Sequence, residues 1–195
     1  MIEKFQNKYR IQSARLQKWD YGSNAAYFIT ICTQNREHYF GEIENNKMQL
    51  SEIGKMANKY WFEIPEHFPF VKLDAFIVMP NHIHGIIVID KPNNDKNIDA
   101  IATVTVETQN FASLPPSPPS PSKNKFGPQS KNLASIIRGY KIGVTKNAKK
   151  INPLWQWQTR FYDHIIRNEK SFTNIRNYII ENPLKWNDDK FNDNE

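Results

Sequence analysis

The stretch Met79-Pro80-Asn81-His82-Ile83-His84-Gly85-Ile86-Ile87-Val88-Ile89 decides how this chain can fold. Ile83, Ile86, Ile87, Val88 and Ile89 are β-branched, which is strand composition. Side chains on a strand alternate between faces, so His82 and His84 point the same way, roughly 6–7 Å apart along the strand. That separation suits two imidazoles gripping one cation. It also suits two polar residues at a strand rim, and the pair alone does not choose between these readings. An ion held by two side chains is weakly held, so a third ligand is expected from elsewhere in the chain.

Working outward, the preceding run Val71 to Met79 reads as a second strand, and Pro80-Asn81 is too short a connection for anything but antiparallel neighbours. Upstream, Tyr27 to Thr33 is β-branched and aromatic throughout and reads as a strand opened by Gly22-Ser23-Asn24. Tyr39–Ile43 and Lys47–Leu50, joined across Asn45-Asn46, form a candidate hairpin. Ser51 caps a predicted helix from Glu52 to Phe62 that presents Ile53, Met56, Ala57, Tyr60 and Trp61 on one face, with Pro65 expected to end it. Strand, helix, strand, strand opens an α+β ferredoxin-like sandwich: an antiparallel sheet of four to five strands with helices mainly on one face.

The chain has 195 residues, enough for one good core, and is expected to be a single domain. It carries a formal charge of +6, which favours an anionic partner, nucleic acid first. The single cysteine, Cys32, excludes an internal disulfide framework and reads as a small core residue within its strand. No run approaches the roughly 20 apolar residues of a membrane span, and no secretory signal opens the chain, so a cytoplasmic location is expected. Residues 1–24 form a basic arm that includes Arg10 and Arg15. About 92–129 is a Pro/Ser-rich insertion with no means of building a core.

Order resumes with a predicted helix over 132–149, in which Leu133, Ile137, Tyr140, Val144 and Ala148 form a buried stripe. Lys131, Arg138, Lys141 and Lys149 lie on a face expected to stay in water. The window 108–162 holds nine Lys or Arg and no Asp or Glu, a directional field suited to phosphates. Trp155 and Trp157 follow, and either stack bases of a single strand or pack against the sheet. Phe161 to Arg167 reads as an edge strand, and its flanking Arg160 and Arg167 join the candidate DNA contacts. A last helix over 171–182 stops at Pro183 and packs through Phe172, Ile175 and Ile179. Tyr178 and Asn182 sit one turn apart on it. The tail, 187–195, is acidic and expected to fray.

Two strand histidines, a helix carrying a tyrosine with an amide one turn later, and a basic flank together resemble the HUH single-strand transposases with one catalytic tyrosine. The likeness is to the insertion-sequence-200 type and, within it, the REP-associated tyrosine transposase branch. It rests on Met79 to His84, on Trp157 to Asn168, and on Tyr178-Ile-Ile-Glu-Asn-Pro183, and spans roughly 25–90 and 130–186. The Pro/Ser-rich insertion has no counterpart assignable in the family.

This resemblance implies that His82 and His84 bind a divalent ion, Mg²⁺ or Mn²⁺, with Asn182 at the family's third-ligand position. It makes Tyr178 the nucleophile on single-stranded DNA bearing a hairpin, leaving a 5′-phosphotyrosine and a free 3′-hydroxyl. The protein would act as a monomer or a homodimer. A nucleotide hydrolase of His-x-His-x-His type would need a third histidine on the same strand face, where Ile86 stands. The remaining rival is a non-catalytic hairpin-binding protein, which has no use for Tyr178 opposite the histidines. Tyr140 and Tyr162 are expected to be packing residues.

Overall fold

The computed structural model describes residues 16, 19–92 and 130–192. Arg10, Arg15, most of the basic arm and nearly all of the Pro/Ser-rich insertion lie outside the described residues. In chain order the elements are β1 (Ala25–Cys32), β2 (Gly41–Glu44), β3 (Lys47–Leu50), α1 (Glu52–Phe62), α2 (Ile64–His67), β4 (Val71–Val78), β5 (His82–Ile89), α3 (Leu133–Ile151), β6 (Tyr162–Ile166) and α4 (Glu169–Glu181). A 3₁₀ turn, Asn182–Asp188, continues from α4.

Four strands form one sheet in the order β4-β5-β1-β6, every neighbouring pair antiparallel. This is the α+β sandwich expected from the strand and helix order. The β2–β3 hairpin stands apart, turned through Asn45 and Asn46 at φ 50° and 61°. Both values lie in the left-handed region that asparagine tolerates and that a tight two-residue hairpin turn requires.

Strand alternation divides β5 between two cores. Ile83, Ile87 and Ile89 join α1 and α3 in the larger one, with Trp61, Leu133, Tyr140 and Val144 buried beside them. Ile86 faces the other way, towards Ile179 of α4 with Ala26 and Ile166. Two of the three long helices therefore cover one face and α4 the other. His82 and His84 share the α4 face, and β1 fixes them opposite Cys32 and Thr30. In β4 an extra residue between Leu73 and Phe76 makes a bulge against β5.

Local chemistry explains the boundaries. The Ser51 side chain accepts the Gly54 N–H, Asn132 and Ser135 form a reciprocal cap on α3, and Asn168 accepts the Ser171 N–H to start α4 two residues earlier than expected. Pro65 does not end α1. The helix stops at Phe62, and Pro65 lies in the first turn of α2, where its missing N–H costs nothing. α4 ends at Glu181, just before Pro183 as expected, and Pro183 opens the 3₁₀ turn that follows. Cys32 is the last residue of β1 and only half-buried, not a mid-strand core residue. The end of the N-terminal arm is anchored: Trp19 Nε1 donates to the Tyr27 hydroxyl at 3.1 Å, and Tyr21 stacks on Tyr27.

Gly85, the one non-branched break in the apolar half of β5, is required by Trp61. A Cβ there would sit 2.3 Å from the indole Cζ2. That indole also stacks on Phe76, with ring centroids 4.5 Å apart. Gly85→Ala is expected to destabilise the fold by about 1–3 kcal/mol in chemical denaturation, and Trp61→Phe in the same chain should restore part of the loss. An unchanged midpoint in Gly85→Ala would contradict this packing.

Candidate active site

The β5 register brings both imidazoles to one point: His82 Nε2 and His84 Nε2 stand 3.1 Å apart. Their outer nitrogens are held by neighbours. Asn81 is wholly buried; its Nδ2 donates to the Phe191 carbonyl at 2.7 Å, which leaves Oδ1 to accept from His82 Nδ1 at 2.8 Å. His82 Nε2 consequently carries a lone pair aimed inward. Thr30 Oγ1 meets His84 Nδ1 at 2.9 Å and orients the second ring. A metal-ready histidine pair shows this pattern, with each outer nitrogen anchored on an oxygen.

The electrostatics agree. Both rings are buried to within 1% of full exclusion. Burial lowers the His84 imidazole to about 3, with the Lys190 ammonium adding to it. Burial, then His84 and the Arg36 and Lys190 cations, drives His82 well below its ordinary value. Two neutral imidazoles whose Nε2 atoms converge can share one ring proton or hold a cation between them.

Tyr178 approaches from α4, its hydroxyl 3.2 Å from His84 Nε2. The ring meets Phe28 edge-on and remains 39% exposed, so the phenol lies at the mouth of the buried pair. Partial burial and the Asp189 carboxylate raise its pKa, while a hydrogen bond from Asn182 opposes them. Asn182 is 2% exposed; its Nδ2 donates to Asp189 Oδ2 at 3.2 Å, and its Oδ1 has no hydrogen-bond partner.

The structure therefore unites His82, His84, Tyr178 and Asn182 within one chain and adds Asp189. The ligating atoms of His82, His84 and Asp189 all lie within 4.8 Å of one another. Asp189 belongs to the tail expected to fray. As far as it is described, the tail instead folds back: Arg36 Nη1 donates to the Lys190 carbonyl at 3.0 Å, and the Phe191 ring lies 4.6 Å from that of His82. Trp186 and Phe191, apolar residues in an otherwise polar tail, are its one sequence signal.

The basic helix is partly as expected. Arg138 and Lys149 are exposed on α3, and with Lys146 and Arg160 they line a groove of about 820 Å³ against 156–161 that contains no acid. Lys141 does not stay in water. It is half-buried, donates to the Gln158 and Arg160 carbonyls, and burial lowers its ammonium to about 8. Trp155 and Trp157 are both core, so neither offers a stacking face. Lys131 is exposed beside Phe68 and Phe70, and Arg167 lies in a separate hollow with His164. Tyr140 is buried and bonded to the Ala57 carbonyl, whereas Tyr162 is 55% exposed rather than packed. No described helix is long and apolar enough to cross a membrane.

No protein-family model matches the chain. An uncharacterized protein of Haemophilus influenzae Rd is 38% identical over 181 residues, 92% of this chain and 91% of its own length. From the same organism, a protein provisionally named a REP-associated tyrosine transposase is 28% identical over 166 residues, 85% of this chain and 74% of its own. Among solved structures, a REP-associated tyrosine transposase bound to a REP hairpin shares the fold, with a TM-score of 0.52 at 20% identity over 90% of this chain and 74% of the other. The chain is thus similar to REP-associated tyrosine transposases, in sequence to one and in fold to another. In this chain the histidine pair and Tyr178 meet at one opening.

The depressed histidines have a consequence for stability. In the unfolded chain imidazoles titrate near 6.5, so between that value and about 3 the unfolded state binds more protons at His84 than the folded state. Stability contributed by the neutral ring is present above the unfolded value and is lost as pH falls below it. In chelator, the unfolding free energy from urea titration should drop between pH 7.5 and 5, by up to about 1.4 kcal/mol per pH unit for each histidine. A His82→Gln/His84→Gln variant should show a flatter profile; an equal slope in both proteins would refute the buried neutral pair.

Proposed function

We propose that this protein cleaves and rejoins hairpin-bearing single-stranded DNA through a covalent bond to Tyr178. The observation that carries the reading is the 3.2 Å approach of the Tyr178 hydroxyl to an imidazole whose Nε2 already converges with that of His82. A merely structural tyrosine has no need to meet the nitrogen of a buried imidazole at a surface opening.

A free phenol has a pKa near ~10 and is a poor nucleophile at neutral pH. Here burial and Asp189 raise it further, so the site as it stands disfavours the phenolate. His82 and His84, with the otherwise unsatisfied Oδ1 of Asn182 and the nearby Asp189 carboxylate, are the groups that would hold Mg²⁺ or Mn²⁺. When bound there, such an ion supplies positive charge for the phosphate oxygens and favours the ionised phenol. Phe28 holds the tyrosine ring edge-on, and Thr30 and Asn81 keep the imidazoles aimed.

In the reaction the Tyr178 Oη–P bond forms and the P–O3′ bond breaks. The phenol gives up its proton and the departing 3′-oxygen gains one. The phosphodiester is exchanged for a phosphotyrosine ester of similar energy, so a 3′-hydroxyl can later reverse the step and join strands. The acid-free groove along α3 offers the strand a basic track. The groove-lining loop crosses the sheet end that carries His82, because Gln158 N–H bonds the Cys32 carbonyl and Cys32 faces His82. The hairpin preference rests on the relative solved with a REP hairpin.

With a hairpin-bearing single strand and Mn²⁺, the wild type should form an SDS-resistant adduct. Tyr178→Phe should retain DNA binding and lose the adduct by more than ~10³-fold, as expected for removal of a nucleophile. Binding by the wild type without an adduct on any hairpin tested would instead favour a non-catalytic hairpin-binding protein. For the groove, Lys146→Ala/Lys149→Ala should make the salt dependence of binding shallower by about 1.4 in log–log slope, because each lysine that neutralises a phosphate of a single strand accounts for about 0.7. An unchanged slope would move the strand elsewhere.

A further inference from the structure

Resting on that reading, we propose that Asp189, from the segment after the Asn182–Asp188 turn, is a direct ligand of the divalent ion and supplies the one negative charge at the site among the described residues. The distances permit it, since an Asp189 oxygen and the two imidazole nitrogens lie within 4.8 Å of one another. Ligands about 2.0–2.2 Å from a shared Mg²⁺ or Mn²⁺ stand at most about 4.4 Å apart across the ion, a change of a few tenths of an ångström.

The chemistry requires it more strongly than the distances do. His82 and His84 are neutral, Asn182 is neutral, and the charged groups acting on His82 from neighbouring segments are Arg36 and Lys190, both cations. Mg²⁺ and Mn²⁺ are hard ions that favour carboxylate oxygen. A set of two imidazoles and one amide, in a positive surround and away from water, would hold a dication poorly. A single carboxylate changes the sign of that balance.

Asp189 is also placed as a ligand and not as a stray surface acid. Its backbone N–H closes on the Trp186 carbonyl at 3.1 Å, Oδ1 accepts the Phe191 N–H at 2.8 Å, and Oδ2 accepts the buried Asn182 amide. The segment is pinned on both sides by Asn81 to the Phe191 carbonyl and by Arg36 to the Lys190 carbonyl. Each carboxylate oxygen keeps a free lone pair, and the carboxylate is oriented before any ion arrives. Asn182 then has two parts: its amide nitrogen orients Asp189 while its oxygen faces no protein donor.

The test is Mn²⁺ binding to the full chain without DNA, read by calorimetry and by the rise in Tm. Asp189→Asn keeps the shape and the turn's acceptor while removing the charge. Its Tm in chelator should match the wild type within a few degrees, its Mn²⁺ Kd should rise at least ~10-fold, and the Mn²⁺-induced Tm rise should shrink accordingly. His84→Ala should abolish both signals. Wild-type affinity in Asp189→Asn, with His84→Ala inactive in binding, would overturn the assignment and leave the histidine site intact. Absence of Mn²⁺ binding by the wild type at millimolar concentration would overturn the assignment together with the metal-dependent reading of the site. If Asp189→Asn unfolds, Asp189→Glu is measured in its place: retained binding supports the assignment, and loss to the level of His84→Ala overturns it.

Discussion

The structure depends on the register of β5 between β1 and β4. A strand has two faces, and here both are buried: Ile83, Ile87 and Ile89 feed the core beneath α1 and α3, while His82, His84 and Ile86 face α4. A slip of one residue would exchange the sets, placing imidazoles in the larger core and branched chains at the site. Gly85 helps to prevent that slip, because only a residue without Cβ fits beneath Trp61. Packing of a tryptophan on one face thus fixes where two histidines emerge on the other.

Once that register holds, the site follows from local bonds. Thr30, paired with His84 across β1, is the residue whose hydroxyl orients it. Asn81, one residue before β5, has one amide group on His82 and the other on the returning tail. The α4 helix packs through Ile179, and the neighbouring position along its turn presents Tyr178 to the same opening. Dryness sharpens the electrostatics. Neutral rings, a phenol that resists ionisation and an oriented carboxylate share one opening.

Much of this is legible in the sequence where short-range rules apply. Alternation in 83–89, the cap at Ser51, and the stripe from Leu133 to Ala148 are local signals with local consequences, and the structure bears them out. The His82, His84, Tyr178 and Asn182 positions follow from family resemblance, and the fold brings the first three into direct contact. Asp189 is hidden because its role depends on how the chain turns after Pro183, and a polar tail carries no periodicity to reveal that turn. Lys141 escapes sequence reading for a related reason. Its helical position points towards solvent, but 156–160 closes over it, and only the tertiary structure shows two backbone carbonyls taking its ammonium. Trp155 and Trp157 are ambiguous by composition, and burial beside Phe40 settles them as core.

The central claim is that one chain gathers an ion-binding pair and a nucleophile around the same point. Anomalous diffraction from crystals grown with Mn²⁺ measures it directly. The account predicts a single manganese peak within bonding distance of both histidine Nε2 atoms, with the Tyr178 hydroxyl of the same chain facing it. A peak elsewhere, or a tyrosine reaching the peak only from a second copy, would contradict it.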